Sequence, residues 1–138
     1  VSAPLLLSSA ICRIATPNNQ VRILHVSSGA ARHPYPGWSV YCATKAALDQ
    51  HARCVQLDTS PELRIASVAP GVIDTQMQAH IRASDVEDFP LRDKFDTLKR
   101  EGQLLSAEQC AQHLVRYLLN PQFAQQPVSD LRTMLDTP

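Results

Sequence analysis

The sequence predicts an α/β fold built on a parallel sheet, and three observations lead there. Two short runs, VRILHV at 21–26 and LRIASV at 63–68, are apolar and β-branched, as strands covered on both faces are. A long helical stretch separates them. Strand, helix and strand in that order form one crossover unit, so the two strands are expected to run parallel.

The elements follow in order. Residues 2–14 carry Leu5, Leu6, Ala10 and Ile14 at positions suited to a buried helix, which Thr16-Pro17-Asn18-Asn19 ends. After the first strand, residues 27–38 hold Gly29, Pro34, Pro36 and Gly37 and read as a loop. Ser39 can cap a helix running to about Leu57, with Ala43, Ala46, Ala47 and Cys54 small enough for close packing. Asp58 to Pro61 turns the chain into the second strand. Residues 72–90 look irregular or briefly helical, and 91–100 suggest a polar helix with Asp96 and Arg100 one turn apart. Ser106 and Gln109 have capping-box spacing, and Ala111, Leu114, Val115 and Leu118 follow on one face until Asn120-Pro121. A weak last strand is expected near Pro127 to Leu131.

Two or three parallel strands leave apolar sheet faces and edges uncovered. The 138 residues therefore read as one partial domain, the carboxyl-terminal half of a doubly wound, three-layer α/β/α fold. No Met opens the chain, so it is expected to be a piece of a longer protein. The opening VSAPLLLSSA has small residues after an apolar run, but it lacks the basic segment of a signal peptide and is too short to span a bilayer.

Composition narrows the function classes. The formal net charge is zero, which gives no electrostatic reason to expect nucleic acid or an anionic membrane as partner. Only four glycines are present, and neither G-x-G-x-x-G nor G-x-x-x-x-G-K-[ST] can be written from them, so a self-contained nucleotide-binding loop is excluded. Cys12, Cys42, Cys54 and Cys110 lie far apart without C-x-x-C spacing, and the five histidines show no metal-ligand spacing. A disulfide framework and a metal site are not expected, and a reducing cytoplasm is the simplest compartment.

The chemistry concentrates at two strand ends. Tyr41 and Lys45 lie four residues apart, on one helical face. A phenol titrates near pH 10 when unperturbed, and a fixed ammonium nearby stabilises the phenolate, bringing it toward useful acid–base range. Such a Tyr can hand a proton to an oxygen gaining negative charge. Ser28 follows the first strand directly, at the edge where ligands of parallel α/β sheets bind; it could orient a carbonyl, or Ser27-Ser28-Gly29 could be turn chemistry alone. Pro70-Gly71-Val72-Ile73-Asp74-Thr75 leaves the second strand at the same edge. Gly71 permits close backbone approach, and Thr75 can cap a helix or bond a carboxamide or phosphate. Trp38 and Tyr35 serve equally as a wall for a flat substrate or as loop packing. His25 reads as a hydrogen-bonded core residue, and no G-x-S-x-G elbow supports a hydrolase.

The runs VSSGAARHPYPGWSVYCATKAALD and LRIASVAPGVIDTQM together resemble the short-chain dehydrogenase/reductase family, and within it the sepiapterin reductase and benzil reductase group. The resemblance covers residues 1 to about 78 well and the remainder loosely. It implies a Rossmann-type fold and an NAD(P)H-dependent reduction of a ketone or vicinal diketone, with NADPH favoured over NADH. It makes Tyr41 the catalytic acid, Lys45 the residue that lowers its pKa and holds the nicotinamide ribose, and Ser28 the residue that orients the substrate carbonyl. Pro70, Gly71, Ile73 and Thr75 would line the nicotinamide, and Trp38 and Met77 the substrate, with 79–105 as its lid. Asp130 lies where sepiapterin reductases grip the pterin with an acidic residue. The family's glycine-rich turn, its cofactor-selecting residue, its N-N-A-G segment and its catalytic Asn would all precede Val1. A homodimer through helices 2–14 and 40–57 is implied, in the cytoplasm, with a small carbonyl compound as substrate. The rival expectation is a non-catalytic remnant that persists as an interaction or dimerisation module.

Overall fold

A computed structural model describes residues 1–58, 61–77, 79, 92–102 and 104–135. Helix α1 spans Ser2–Cys12, strand β1 Val21–Val26, helix α2 Ser39–Asp58 and strand β2 Leu63–Ala69. Then come strand β3 at Ile73–Asp74, helix α3 at Arg92–Arg100, strand β4 at Leu105–Ser106, helix α4 at Ala107–Leu119, strand β5 at Val128–Asp130 and helix α5 at Leu131–Leu135.

The sheet is parallel, in the order β1-β2-β5, as the crossover argument requires. Val21 to Val26 pair in register with Leu63 to Val68. β5 pairs only with Ser67, Val68 and Ala69, the last residues of β2. That short pairing brings the start of α5 beside the Pro70-Gly71 turn.

Alternation along the strands divides the core. Val21, Ile23, Leu63 and Ile65 pack with Ala52 on the face toward α2. Ala66 and Val68 face the other way, with Cys110, Phe123, Ala124 and Leu131. The capping box is present: Gln109 N–H donates to Ser106 Oγ, and Gln109 Oε1 accepts from the Ser106 N–H. Arg22 Nη1 donates to the carbonyls of Leu118 and Asn120 at the other end of α4, satisfying groups that a helix terminus leaves open.

Several expectations change in detail. α1 stops at Cys12. Ser39 does not cap α2; the Trp38 carbonyl accepts the first helical bond from the Cys42 N–H, so the helix begins one residue earlier than a Ser39 cap allows. Ala43 and Cys54 are exposed, and the buried face of α2 carries Leu48, Asp49 and Ala52 instead. Asp96 and Arg100 form no ion pair among the described residues, while Lys99 Nζ lies 3.4 Å from Asp74 Oδ1. β3 and β4 form a second, two-residue parallel ladder, Ile73 with Leu105 and Asp74 with Ser106, which the sequence did not predict. Most of the expected lid lies outside the described residues.

Candidate functional site

The carboxyl ends of β1 and β2 open onto a cavity of about 400 Å3. Ser28, Tyr41, Lys45, Pro70, Gly71, Ile73, Thr75, Trp38 and Met77 all line it. Asp130 does not. In its place stands Arg132, two residues on, a cation that sequence reasoning missed.

Each side chain is placed by its element. Ser28 starts the 3-10 turn Gly29–Ala31, and its Oγ accepts from the Ala30 N–H at 3.2 Å. Turn chemistry leaves the Ser28 proton free for a second bond, because a hydroxyl that accepts at its oxygen still has its own proton to donate. Tyr41 and Lys45 occupy successive turns of α2, with Lys45 Nζ 5.7 Å from the Tyr41 ring centre. Lys45 Nζ donates to the Val26 carbonyl at 2.8 Å, which ties the helix to the end of β1. Burial pushes the Lys45 ammonium below its usual pKa, and the Asp49 carboxylate one turn further works against that shift.

Asp49 is buried, a position costly for a carboxylate unless hydrogen-bonded. Ser27 Oγ and Ser67 Oγ both donate to its Oδ1, at 2.6 and 2.8 Å. Arg32 Nε lies 3.5 Å from Oδ2, an ion-pair distance without a hydrogen bond. One carboxylate thus joins α2 to the carboxyl ends of β1 and β2. Beside it, the His25 ring contacts Ser8 Oγ at 3.4 Å and His51 Nδ1 at 3.3 Å. Burial, then the neighbouring His51 and Lys45, pushes the His25 pKa down; burial does the same for His51.

The outer wall is aromatic. Trp38 meets Tyr41 edge-on at 5.0 Å and Tyr35 at 6.0 Å, and it stacks on Phe95 of α3 at 6.4 Å with 12° between the planes. Trp38 therefore does both things left open above, packing the loop and walling the cavity. Gly71 has φ +84°, a conformation that favours glycine, and a Cβ there would sit 3.3 Å from Arg132 Cδ. Among the described residues no group of three His, Cys, Asp or Glu side chains is arranged to hold a metal, and no helix is long and apolar enough to cross a membrane.

This is a site of hydroxyl donors and one ammonium at the carboxyl edge of a parallel sheet. The family model described as short chain dehydrogenase matches residues 1–86. The chain belongs to the short-chain dehydrogenase family. A benzil reductase ((S)-benzoin forming) from Bacillus cereus is 40% identical over 128 residues, covering 89% of this chain and 51% of that protein. Sepiapterin reductase from Bos taurus is 34% identical over 125 residues, covering 89% and 46%. Among solved structures, a short-chain dehydrogenase/reductase from Burkholderia vietnamiensis is 43% identical, with TM-score 0.50 over 100% of this chain and 48% of that one. One from Saccharomyces cerevisiae is 26% identical, with TM-score 0.70 over 80% and 45%. This short-chain dehydrogenase chain spans about half the length of the curated relatives it matches.

Proposed function

We propose that these residues form the catalytic and substrate-binding half of an NAD(P)H-dependent carbonyl reductase acting on a ketone or vicinal diketone, benzil-like or sepiapterin-like. The observation that carries this reading is the meeting of Ser28, Tyr41 and Lys45 on one cavity with the Pro70–Thr75 turn. That donor set suits the nicotinamide-ribose end of a dinucleotide: an ammonium and the Thr75 hydroxyl flank a backbone turn that Gly71 keeps open. With no glycine-rich turn in this chain, the pyrophosphate would be held by residues outside it.

The cofactor, when bound, supplies hydride to the carbonyl carbon. Ser28 donates a hydrogen bond to the carbonyl oxygen and orients it. Tyr41 gives that oxygen its proton as negative charge develops there. Lys45 holds a positive charge beside the phenol, stabilising the negative charge left on it, and its bond to the Val26 carbonyl fixes that charge in place. Trp38 and Met77 bound the substrate space.

Family membership supports a nicotinamide cofactor, and the resemblance to the sepiapterin and benzil reductases supports NADPH over NADH. The partners proposed are a small carbonyl substrate and a second copy of the protein, in the cytoplasm. Leu6 and Leu7 of α1 and Val40 and Leu57 of α2 are exposed apolar side chains that support a homodimer. Sedimentation of the whole protein at the monomer mass alone would remove that assignment. The decisive test of the site is Tyr41→Phe in the whole protein. Turnover of benzil with NADPH should fall at least about a hundredfold, as loss of a general acid does, with cofactor affinity little changed. Unchanged turnover would exclude Tyr41 as the acid.

A further inference from the structure

Asp130 and Arg132 form a tight pair at the mouth of the cavity. Asp130 Oδ1 accepts from the Arg132 backbone N–H at 3.0 Å and from Nε at 2.9 Å, and Oδ2 accepts from Nη2 at 2.7 Å. Three donors from one residue thus engage a carboxylate whose side chain is only 12% exposed, while the Arg132 side chain is 64% exposed. The pairing holds both groups charged: these hydrogen bonds depress the Asp130 pKa and raise that of Arg132. Arg132 packs its stem against Gly71, and its Nη1 has no partner among the described residues.

The result is an inversion of the mouth's hydrogen-bonding character. A free carboxylate accepts only, and would grip a heterocycle through ring N–H or amino donors. A guanidinium donates only, and engages carbonyl oxygens. Here the acceptor is occupied, and it is Arg132, not Asp130, that lines the cavity with Ser28, Tyr41, Trp38 and Phe95.

We propose that Arg132 sets the substrate class of this site: by occupying Asp130 and presenting its own N–H groups, it favours flat aromatic carbonyl compounds that offer only hydrogen-bond acceptors over heterocycles that offer N–H donors. This rests on the reductase reading, and names which of the two substrate types within it the cavity takes. A vicinal diaryl diketone fits, one carbonyl between Ser28 and Tyr41 and the other toward Arg132. A pterin, rich in N–H donors, meets a cation where it needs an acceptor.

Binding, read without turnover, separates this inference from the reductase reading. Trp38 is the one tryptophan of the 138 residues and lies on the cavity wall, so its emission, corrected for ligand absorbance, reports occupancy. Benzil and sepiapterin would be titrated into the whole protein and into three variants. The unaltered protein is expected to bind benzil more tightly than sepiapterin. Arg132→Ala should weaken benzil and strengthen sepiapterin by about tenfold, the effect of one hydrogen bond to a charged group. Arg132→Ala with Asp130→Ala should lose that gain, because the acceptor has gone. Asp130→Ala alone, which leaves Arg132 in place, should keep benzil binding and bring no gain for sepiapterin. An affinity ratio unchanged in Arg132→Ala, a gain that survives Asp130→Ala, or no binding of benzil by the unaltered protein would each overturn the proposal. A Tyr41→Phe protein that still turns over would instead overturn the catalytic assignment and leave these binding ratios standing.

Discussion

The two faces of the central sheet solve different problems. Toward α2, the core is apolar near the amino end of the strands and grows polar toward the carboxyl end, through His25, Ser27, Ser67 and Asp49. Toward α4, the order reverses: Arg22 bonds helix carbonyls near the amino edge, and Ala66, Val68, Phe123 and Leu131 fill the rest. Apolar packing is strong but nondirectional, so on this face the directional bonds to α4 are those of Arg22 at the far end of the helix from its cap. Hydrogen bonds to a buried carboxylate and to the Val26 carbonyl are directional. On the face that carries Tyr41 and Lys45, such bonds lie at the carboxyl ends of the strands, next to the cavity.

The contrast can be broken from either side. Phe123→Ala, on the apolar face, should cost about 4 kcal/mol through the cavity it leaves, measured by denaturant unfolding. It should not change the pH profile of stability. Asp49→Ala should cost about 3 kcal/mol, since it strands two buried hydroxyls and the Arg32 guanidinium. Asp49→Asn, which keeps an acceptor, should recover part of that loss; equal losses in both variants would show that the network's geometry does not matter.

The smallest effect concerns His25 and His51, which lie with Ser8 and Lys45 on the polar face. Both have folded pKa values below the ordinary 6.5, so below that pH the unfolded chain binds protons that the fold excludes. Stability is therefore full above about pH 6.5 and declines as the pH drops through it. His25→Asn should make that decline shallower between pH 6.5 and 5, read as the melting temperature at each pH. An unaltered slope would show that the pair does not titrate with folding.

The strands, the long helix and the capping box were legible because each carries a repeated local pattern: continuous β-branched runs, a 3.6-residue period, or Ser and Gln at fixed spacing. Tyr41, Lys45, Ser28 and the Pro-Gly turn were legible as a group, because a strand end tells where the next residues must point. Asp49 was not. A buried Asp looks like an exposed one in sequence, and its two serine partners come from separate strands. Small residues marked α2 as able to pack closely, but size alone does not show which side meets the sheet, where Leu48, Asp49 and Ala52 are buried. Arg132 was invisible too: its position follows from β5 pairing with only the last residues of β2, a long-range fact without local period.

The two-residue ladder between β3 and β4 acts like a buckle. The chain leaves it after Asp74 and is back at Leu105, so its departure and return are clasped together whatever happens between them. Doubling the length of a loop closed in this way adds only about 0.6 kcal/mol of closure entropy. The clasp lies beyond the ends of β1 and β2, and Ser28, Tyr41 and Lys45 all precede it in the chain. Among the described residues, the cavity-lining Thr75, Met77 and Phe95 lie inside the clasp and Ser28, Tyr41 and Lys45 outside it, so the two sets belong to separate closed segments of the chain.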